Sequence, residues 1–393
     1  MIPYGRQDIS AEDIDAVKDV LQSDWLTQGQ AGPRFEQAIA KYCGGANAVA
    51  VSNATAALHI ACMALDLGPG DFLWTVPNTF VASANCALYC GASVDFVDID
   101  PRTYNMSVAA LSEKLEGARR QGRLPKIVVP VHFAGQSCEM NEIRALSDRY
   151  GFRIIEDASH AIGGEYRGRK VGSSHLSNVV VFSFHPVKII TTGEGGMVLT
   201  NERKLAERLS YLRTHGIIRP SEAPADSDER RFNEDQHGPW MYEQIELGLN
   251  YRMTDIQAAL GTSQLDRLDT FVARRRELAT RYDSLLAQLP VICPWQHPDT
   301  NSAWHLYVIR LRRNEIKISR RQVFEALRAA GIGVNVHYIP VHTQPYYQRL
   351  GFKVGMFPEA ESYYQDAITL PLFSKMTDAE QDAVVAALTK ILA

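Results

Sequence analysis

The chain has 393 residues, 46% of them hydrophobic and 22% charged, which is the make-up of an ordinary water-soluble protein with room for two or three domains. A net charge of −4 excludes a broad basic surface for nucleic acid, and no apolar run is long enough to span a membrane. The opening Met1-Ile-Pro-Tyr-Gly-Arg6 lacks a signal-peptide pattern, and six scattered cysteines predict free thiols in a reducing cytoplasm with no metal site, Cys62 and Cys86 being buried.

Residues 10–22 read as a helix capped by Ser10, with Ile14, Val17 and Leu21 on one apolar face. Asp24 to Gly29 reads as a loop, since Gly29, Gly32 and Pro33 break any regular pattern, and a second helix runs 34–43. The apolar run 48–52 predicts a strand, and 53–67 a helix whose first turn holds Asn53, Thr55 and small alanines. Free N–H groups and the positive end of the helix dipole meet there, which suits a phosphate, although plain capping by Ser52 or Asn53 fits equally. Strands at 72–76, 93–97, 126–131 and 152–157 then alternate with helices at 81–90, 107–120 and 139–150. This α/β alternation predicts a mostly parallel sheet with ligands beyond the carboxyl ends of its strands. Asp157, the Ser52–Thr55 turn and the Thr79–Phe80 turn all fall at such ends.

The stretch Ser183-Phe-His-Pro-Val-Lys188 ends the next buried strand, 178–184. Lys188 is the only charge in its neighbourhood; it is either a lysine reaching solvent from a loop or a desolvated nucleophile able to form a Schiff base. Gly193-Glu-Gly-Gly196 lies between strands, so no dinucleotide or nucleoside-triphosphate loop is present. A helix at 202–214 precedes a polar stretch, Arg219 to Gly238, that reads as a long loop or lid. A helix from Thr254 or Asp255 continues into a long amphipathic stretch, 264–289, bridging to a smaller α+β unit. That unit has strands at 303–311 and 333–338 and helices at 319–330, 358–367 and 377–392.

Four motifs occur in order: Ser52-Asn-Ala-Thr-Ala-Ala-Leu58, Glu156-Asp-Ala-Ser-His160, Ser183 to Lys188 with Gly193 to Gly196, and Gly248-Leu-Asn-Tyr-Arg-Met-Thr-Asp-Ile-Gln257. Together they resemble the pyridoxal-phosphate sugar aminotransferases of the DegT type over essentially the whole chain. The resemblance implies the type I aminotransferase fold, with residues 1–250 as a large cofactor-binding domain and 251–393 as an interdomain helix and small domain. It also implies a homodimer with shared active sites. Lys188 would anchor pyridoxal 5'-phosphate and move protons, Asp157 would pair with the ring nitrogen, and His160 would lie near the ring oxygen. Phe80 would stack on the ring. Thr55, Ala56 and Ser183 would hold the phosphate with Asn250 of the other subunit. Tyr4, Trp25, Leu26, Thr27 and Ala54 would line the sugar side, and Asn335, Val336, His337 and Tyr338 would contact the nucleotide sugar.

Within the family, the loops at 2–6, 23–29, 183–192 and 331–340 resemble members acting in pseudaminic acid biosynthesis. That implies amination at C4 of a UDP-linked 4-keto-6-deoxy-N-acetyl-L-hexosamine with L-glutamate as donor, the live alternative being a D-configured or thymidine-linked sugar. Relatives that dehydrate the sugar at C3 carry histidine in place of the lysine. Lys188 therefore argues against dehydration, and the intact motifs argue against a non-catalytic regulator.

Overall fold

The structure, a computed structural model, describes residues 1–45, 47–219, 238 and 240–393. Helix α1 (Ala11–Leu21) starts at Ser10, and Ser10 and Asp13 cap each other reciprocally. Its apolar face does not enter the core. Ile14 and Leu21 are exposed, and Asp13 is the buried residue, accepting from Ser263 Oγ and Gln264 Nε2, each at 2.6 Å, and from Arg267. Helix α2 (Ala31–Cys43) begins earlier than the glycines and proline suggested. Pro33 lies in the first turn, where a missing N–H costs no helical bond.

Four strand–helix units follow: β1 (Asn47–Val51) and α3 (Ala54–Ala64), β2 (Phe72–Thr75) and α4 (Ala82–Tyr89), β3 (Ser93–Phe96) and α5 (Val108–Gln121), β4 (Ile127–Val128) and α6 (Met140–Tyr150). Then come β5 (Arg153–Asp157), the short β6 (Glu165–Tyr166) and β7 (Arg169–Lys170), β8 (Val179–Ser183), β9 (Gly196–Thr200) and α7 (Arg203–Leu212). Seven strands form one sheet in the order β1-β9-β8-β5-β4-β2-β3, in which β9 alone runs antiparallel to its neighbours. Every residue of β8 is buried, as expected for a strand covered on both faces. The expectation of a mostly parallel α/β sheet holds.

Strands β10 (Ile217–Ile218) and β11 (Glu243–Gln244) pair with each other, and the loop expected from Arg219 to Gly238 lies almost wholly outside the described residues. The helix expected to run from Thr254 or Asp255 on through 264–289 is two. Helix α8 (Asp255–Asp266) ends at Arg267, whose guanidinium turns to Asp8 and Asp13, and α9 (Leu268–Leu285) starts after it. Helix α8 packs on α1 and α2. The first half of α9 (Leu268, Phe271, Val272) joins the core beneath β8 and β9, while Leu278 and Tyr282 join a separate core with Tyr307, Ile309, Val323 and Val384.

The C-terminal part contains β12 (Val291–Ile292), β13 (Thr300–Asn301), β14 (Tyr307–Leu311), α10 (Arg320–Ala329), α11 (Pro345–Arg349), α12 (Pro358–Asp366), β15 (Ala367–Leu370) and α13 (Asp378–Leu392). Strand β14 lies between β12 and β15 in an antiparallel sheet, and β13 pairs with β6. Two strand expectations need correction. Residues 303–306 are turned away from the β14 ladder, with Trp304 at φ +50°. Residues 333–338 alternate like a strand but meet β15 at a single bridge, Asn335 to Thr369, because the chain leaves β15 to carry His337 and Tyr338 elsewhere.

Candidate active site

The parallel strands point their carboxyl ends at one cavity of about 850 Å³. Its wall includes Ala54, Thr55 and Ala56 after β1, Thr79 and Phe80 after β2, Asp157 at the end of β5, and His185 and Lys188 after β8. The C-terminal part adds His305 and Asn335 to Tyr338, and the N-terminal segment adds Tyr4. Tyr4 is brought there by backbone bonds: Ile2 N to Gly331 O at 2.8 Å, Gly333 N to Ile2 O at 2.7 Å and Leu372 N to Tyr4 O at 3.1 Å.

The α3 end is suited to an anion. Asn53 caps the helix by accepting from Ala56 N at 2.8 Å, so the Ala56 N–H is already used. Ala54 and Thr55 lie in the first turn, where N–H groups have no intrahelical acceptor. Gly196 makes this packing possible: a Cβ there would stand 2.6 Å from Asn53 C and 2.8 Å from Ala54 N. The loop carrying Lys188 is pinned at its two ends, by Phe184 N to Gly195 O at 2.9 Å and Thr192 N to Phe184 O at 3.0 Å.

Lys188 is largely buried, and its amine has no hydrogen bond or ion pair among the described residues. Desolvation pulls it down to about 8, against the opposing pull of Asp157, which favours the charged form. The surface-loop reading of Lys188 therefore fails. Of the two acids ending β5, the period of two sends only Asp157 to the cavity. Its Oδ2 accepts from Ser83 Oγ at 2.6 Å and its Oδ1 from Ser159 N at 3.1 Å, leaving lone pairs for a further donor. No helix follows Asp157, so it is not a helix cap. Glu156 faces the other way, 2.7 Å from His132 Nε2.

The Lys188 charge acts on three buried imidazoles, His160, His305 and His337. Burial and the Lys188 charge push His160 far below the ordinary histidine range and His337 down to about 3, so both are neutral at pH 7. His160 Nδ1 accepts from Ala134 N at 3.3 Å, which places its proton on Nε2, 3.1 Å from Tyr338 Oη. Tyr338 thus accepts from His160 and has its own proton to give. Phe80 is 59% exposed, with its ring centroid 6.5 Å from that of Tyr338.

Some expected residues are not brought to this cavity by the single chain. Ser183 is buried at the end of β8 and does not line it. Asn250 is exposed and bridges Thr214. Trp25, at 61% exposure, Leu26, at 47%, and Thr27 stand in solvent on a loop that Asp255 ties down by accepting from Gly29 N at 2.6 Å and Gly32 N at 3.0 Å. Sequence reasoning missed Ser83, whose link to Asp157 spans 74 residues and leaves no local signal. It also missed Tyr89, Tyr251 and His305. A lone histidine in the apolar run Ala303 to Leu311 was the available hint for His305.

The residues present fit pyridoxal phosphate: a free, desolvated amine, a carboxylate with spare acceptor capacity and a helix N-terminus face one cavity. The spore coat polysaccharide biosynthesis protein SpsC of Bacillus subtilis is 39% identical over 394 residues, covering 100% of this chain and 97% of that protein. Helicobacter pylori PseC, an aminotransferase involved in the biosynthesis of pseudaminic acid, superposes with a TM-score of 0.88 at 31% identity, covering 100% and 99% of the two chains. The putative sugar aminotransferase Spr1654 of Streptococcus pneumoniae, solved in its PMP form, gives a TM-score of 0.88 at 28% identity with the same coverage. A family model matches residues 7–389, and the chain belongs to the DegT/DnrJ/EryC1/StrS aminotransferase family as a pyridoxal-phosphate-dependent sugar aminotransferase.

Proposed function

We propose that this enzyme transfers the amino group of L-glutamate to C4 of a UDP-linked 4-keto-6-deoxy-N-acetyl-L-hexosamine. The product is UDP-4-amino-4,6-dideoxy-N-acetyl-β-L-altrosamine, as in pseudaminic acid biosynthesis. The observation carrying the reaction is the unpaired, desolvated Lys188 amine in the same cavity as Asp157. The likeness to PseC supports the sugar. The higher identity to SpsC favours a second reading, in which the acceptor is another nucleotide-linked 4-keto-6-deoxy sugar, D-configured or thymidine-linked.

When bound, pyridoxal phosphate supplies the electron sink and carries the amino group between donor and acceptor. Lys188 would anchor it covalently and, once the donor amine has displaced it, its free Nζ would take the proton from the donor Cα and return one at sugar C4. Asp157 holds the ring-nitrogen proton, with Ser83 fixing the carboxylate. Thr55 serves the phosphate at the start of α3, where the Ala56 N–H is already taken by Asn53 and Ser183 stays buried at the end of β8, Phe80 covers the ring face, and His160 orders the ring-oxygen side through Tyr338. Tyr4, Ala54 and Asn335 to Tyr338 receive the sugar nucleotide. Residues 1–250 act as the cofactor-binding unit and 251–393 as the interdomain helix and cap.

The working form is a cytoplasmic homodimer in which Asn250, Trp25, Leu26 and Thr27 of each subunit complete the partner's site. Two observations support this. Ile14, Leu21, Trp25 and Leu26 leave large apolar side chains in solvent. The described residues lining the cavity include no arginine, although a sugar diphosphate is strongly anionic. The deciding experiment supplies UDP-linked 4-keto sugars of both configurations with glutamate and reads the product by NMR. Turnover of neither sugar would overturn the assignment.

A further inference from the structure

The three imidazoles near Lys188 differ in what they have left to offer. His160 is satisfied by Ala134 N and Tyr338 Oη. His337 Nδ1 pairs with Thr369 Oγ1 at 2.8 Å, and its Nε2 lies 3.5 Å from Asn335 Nδ2. His305 is 4% exposed, yet no described group bonds either of its ring nitrogens, and Nδ1 is fully buried. A proton on Nδ1 would be a donor without acceptor, carrying the full desolvation penalty of that group. The same proton on Nε2, which is not buried, reaches the cavity that His305 lines. Burial, His160 and Lys188 keep the ring neutral, so it carries one proton only.

The backbone that carries the ring is firmly placed. Arg275, itself buried, donates from Nη1 to Trp304 O and His305 O, each at 3.2 Å, and to Leu372 O at 2.9 Å. Gly135, at φ +104°, lets this segment approach; a Cβ there would lie 2.9 Å from His305 N and 3.1 Å from His160 O. The His305 and His160 rings are 4.4 Å apart between centroids. An orphaned polar ring on a backbone fixed this way, in a ligand cavity, calls for a partner that arrives with the ligand.

We propose that His305 contacts the bound ligand, presenting Nε2–H to an anionic oxygen beside Lys188. Two oxygens share that chemistry: the phenolic oxygen of the cofactor ring and a carboxylate of the amino donor. This inference rests on the cofactor-dependent transamination proposed above.

The test compares the full-length wild-type enzyme with His305→Phe, which keeps a flat ring, and His305→Gln, whose amide nitrogen replaces Nε2. Each is loaded with pyridoxal phosphate, and the visible absorbance is titrated against pH before glutamate KM and kcat are measured. In His305→Phe, loss of the donor raises the pH midpoint of the visible band by about one unit if the cofactor oxygen is the acceptor, because the phenolate then interacts fully with the protonated nitrogen beside it. If the donor carboxylate is the acceptor, the midpoint stays and glutamate KM rises about tenfold. Either result, with recovery towards wild type in His305→Gln, supports the assignment. An unchanged midpoint with unchanged KM in a His305→Phe protein of wild-type melting temperature overturns it. If His305→Phe melts early, His305→Gln decides: wild-type midpoint and KM in the Gln protein support the donor role, and their loss overturns it. A wild-type protein that gains no visible band would overturn the transamination reading as well.

Discussion

The two walls of the cavity are built on different physical terms. The cofactor wall is made at strand ends. Asp157, Lys188 and the α3 first turn are set by the register of β1, β5, β8 and β9 and by short backbone bonds. The wall we assign to the sugar is made of loops. Asn335 to Tyr338 touch β15 at one bridge, and Trp25 to Thr27, which we assign to the partner's site, stand in solvent outside this chain's own cavity. A wall fixed by sheet register can hold a reacting atom in place whatever the substrate. A wall made of loops can vary with the sugar and can be completed by another subunit. Chemistry should therefore fail on mutations in the first wall, and specificity or assembly on mutations in the second.

The strongest challenge to that contrast is Lys188→Ala. Turnover should vanish and borohydride should no longer fix the cofactor, while the melting temperature stays within a few degrees, because the amine makes no hydrogen bond among the described residues. Residual turnover would assign the proton work elsewhere. Asp157→Asn should lower kcat on the order of 10²-fold, as loss of a charge-assisted hydrogen bond to the ring nitrogen predicts; a steady-state assay at saturating cofactor measures it.

Gly196→Ala tests the register itself. Its Cβ meets Asn53 C at 2.6 Å, so stability should drop by roughly 1–3 kcal/mol in urea melts, and cofactor affinity should fall with the displaced α3 end. Ser83→Ala should be milder, about fivefold to tenfold in kcat, since one donor to Asp157 is lost. Trp25→Ala, on the sugar wall, should leave stability within about 0.5 kcal/mol because the ring is exposed. It should still lower activity, and mixing it with Lys188→Ala should restore part of it through hybrid dimers. Failure of that complementation would count against shared sites.

Electrostatics gives a pH counterpart. The Lys188 amine is lowered to about 8, and only the neutral amine attacks an aldehyde. Capture of pyridoxal phosphate by the apoprotein should therefore speed up as pH rises through about 8, read by stopped-flow absorbance. A rate still climbing past pH 10 would mean the amine is not desolvated.

The sequence was a good guide where the rule is local. Apolar runs and the cap residue gave the helices and the parallel strands, and Ser10 does cap its helix. It misled where burial is decided by distant partners. The stripe of α1 predicted an apolar inner face, yet Asp13 is buried because Ser263, Gln264 and Arg267 satisfy it. Pattern alone gave 333–338 as a strand and left β15 unread, since alternation does not say which extended segment finds a pairing edge.

By itself the sequence determined the α/β class, the strand ends that line the cavity, and the motifs that identify the family. Those depend on periods of two and 3.6 and on spacing along the chain. Only the tertiary structure decided that Lys188 is unpaired, that Ser83 holds Asp157, that His160 is saturated by Ala134 and Tyr338, and that His305 is left with a proton to offer. The reason is that hydrogen-bond satisfaction and desolvation are set by whichever atoms arrive from elsewhere in the chain, and Tyr338 reaches His160 across 178 residues.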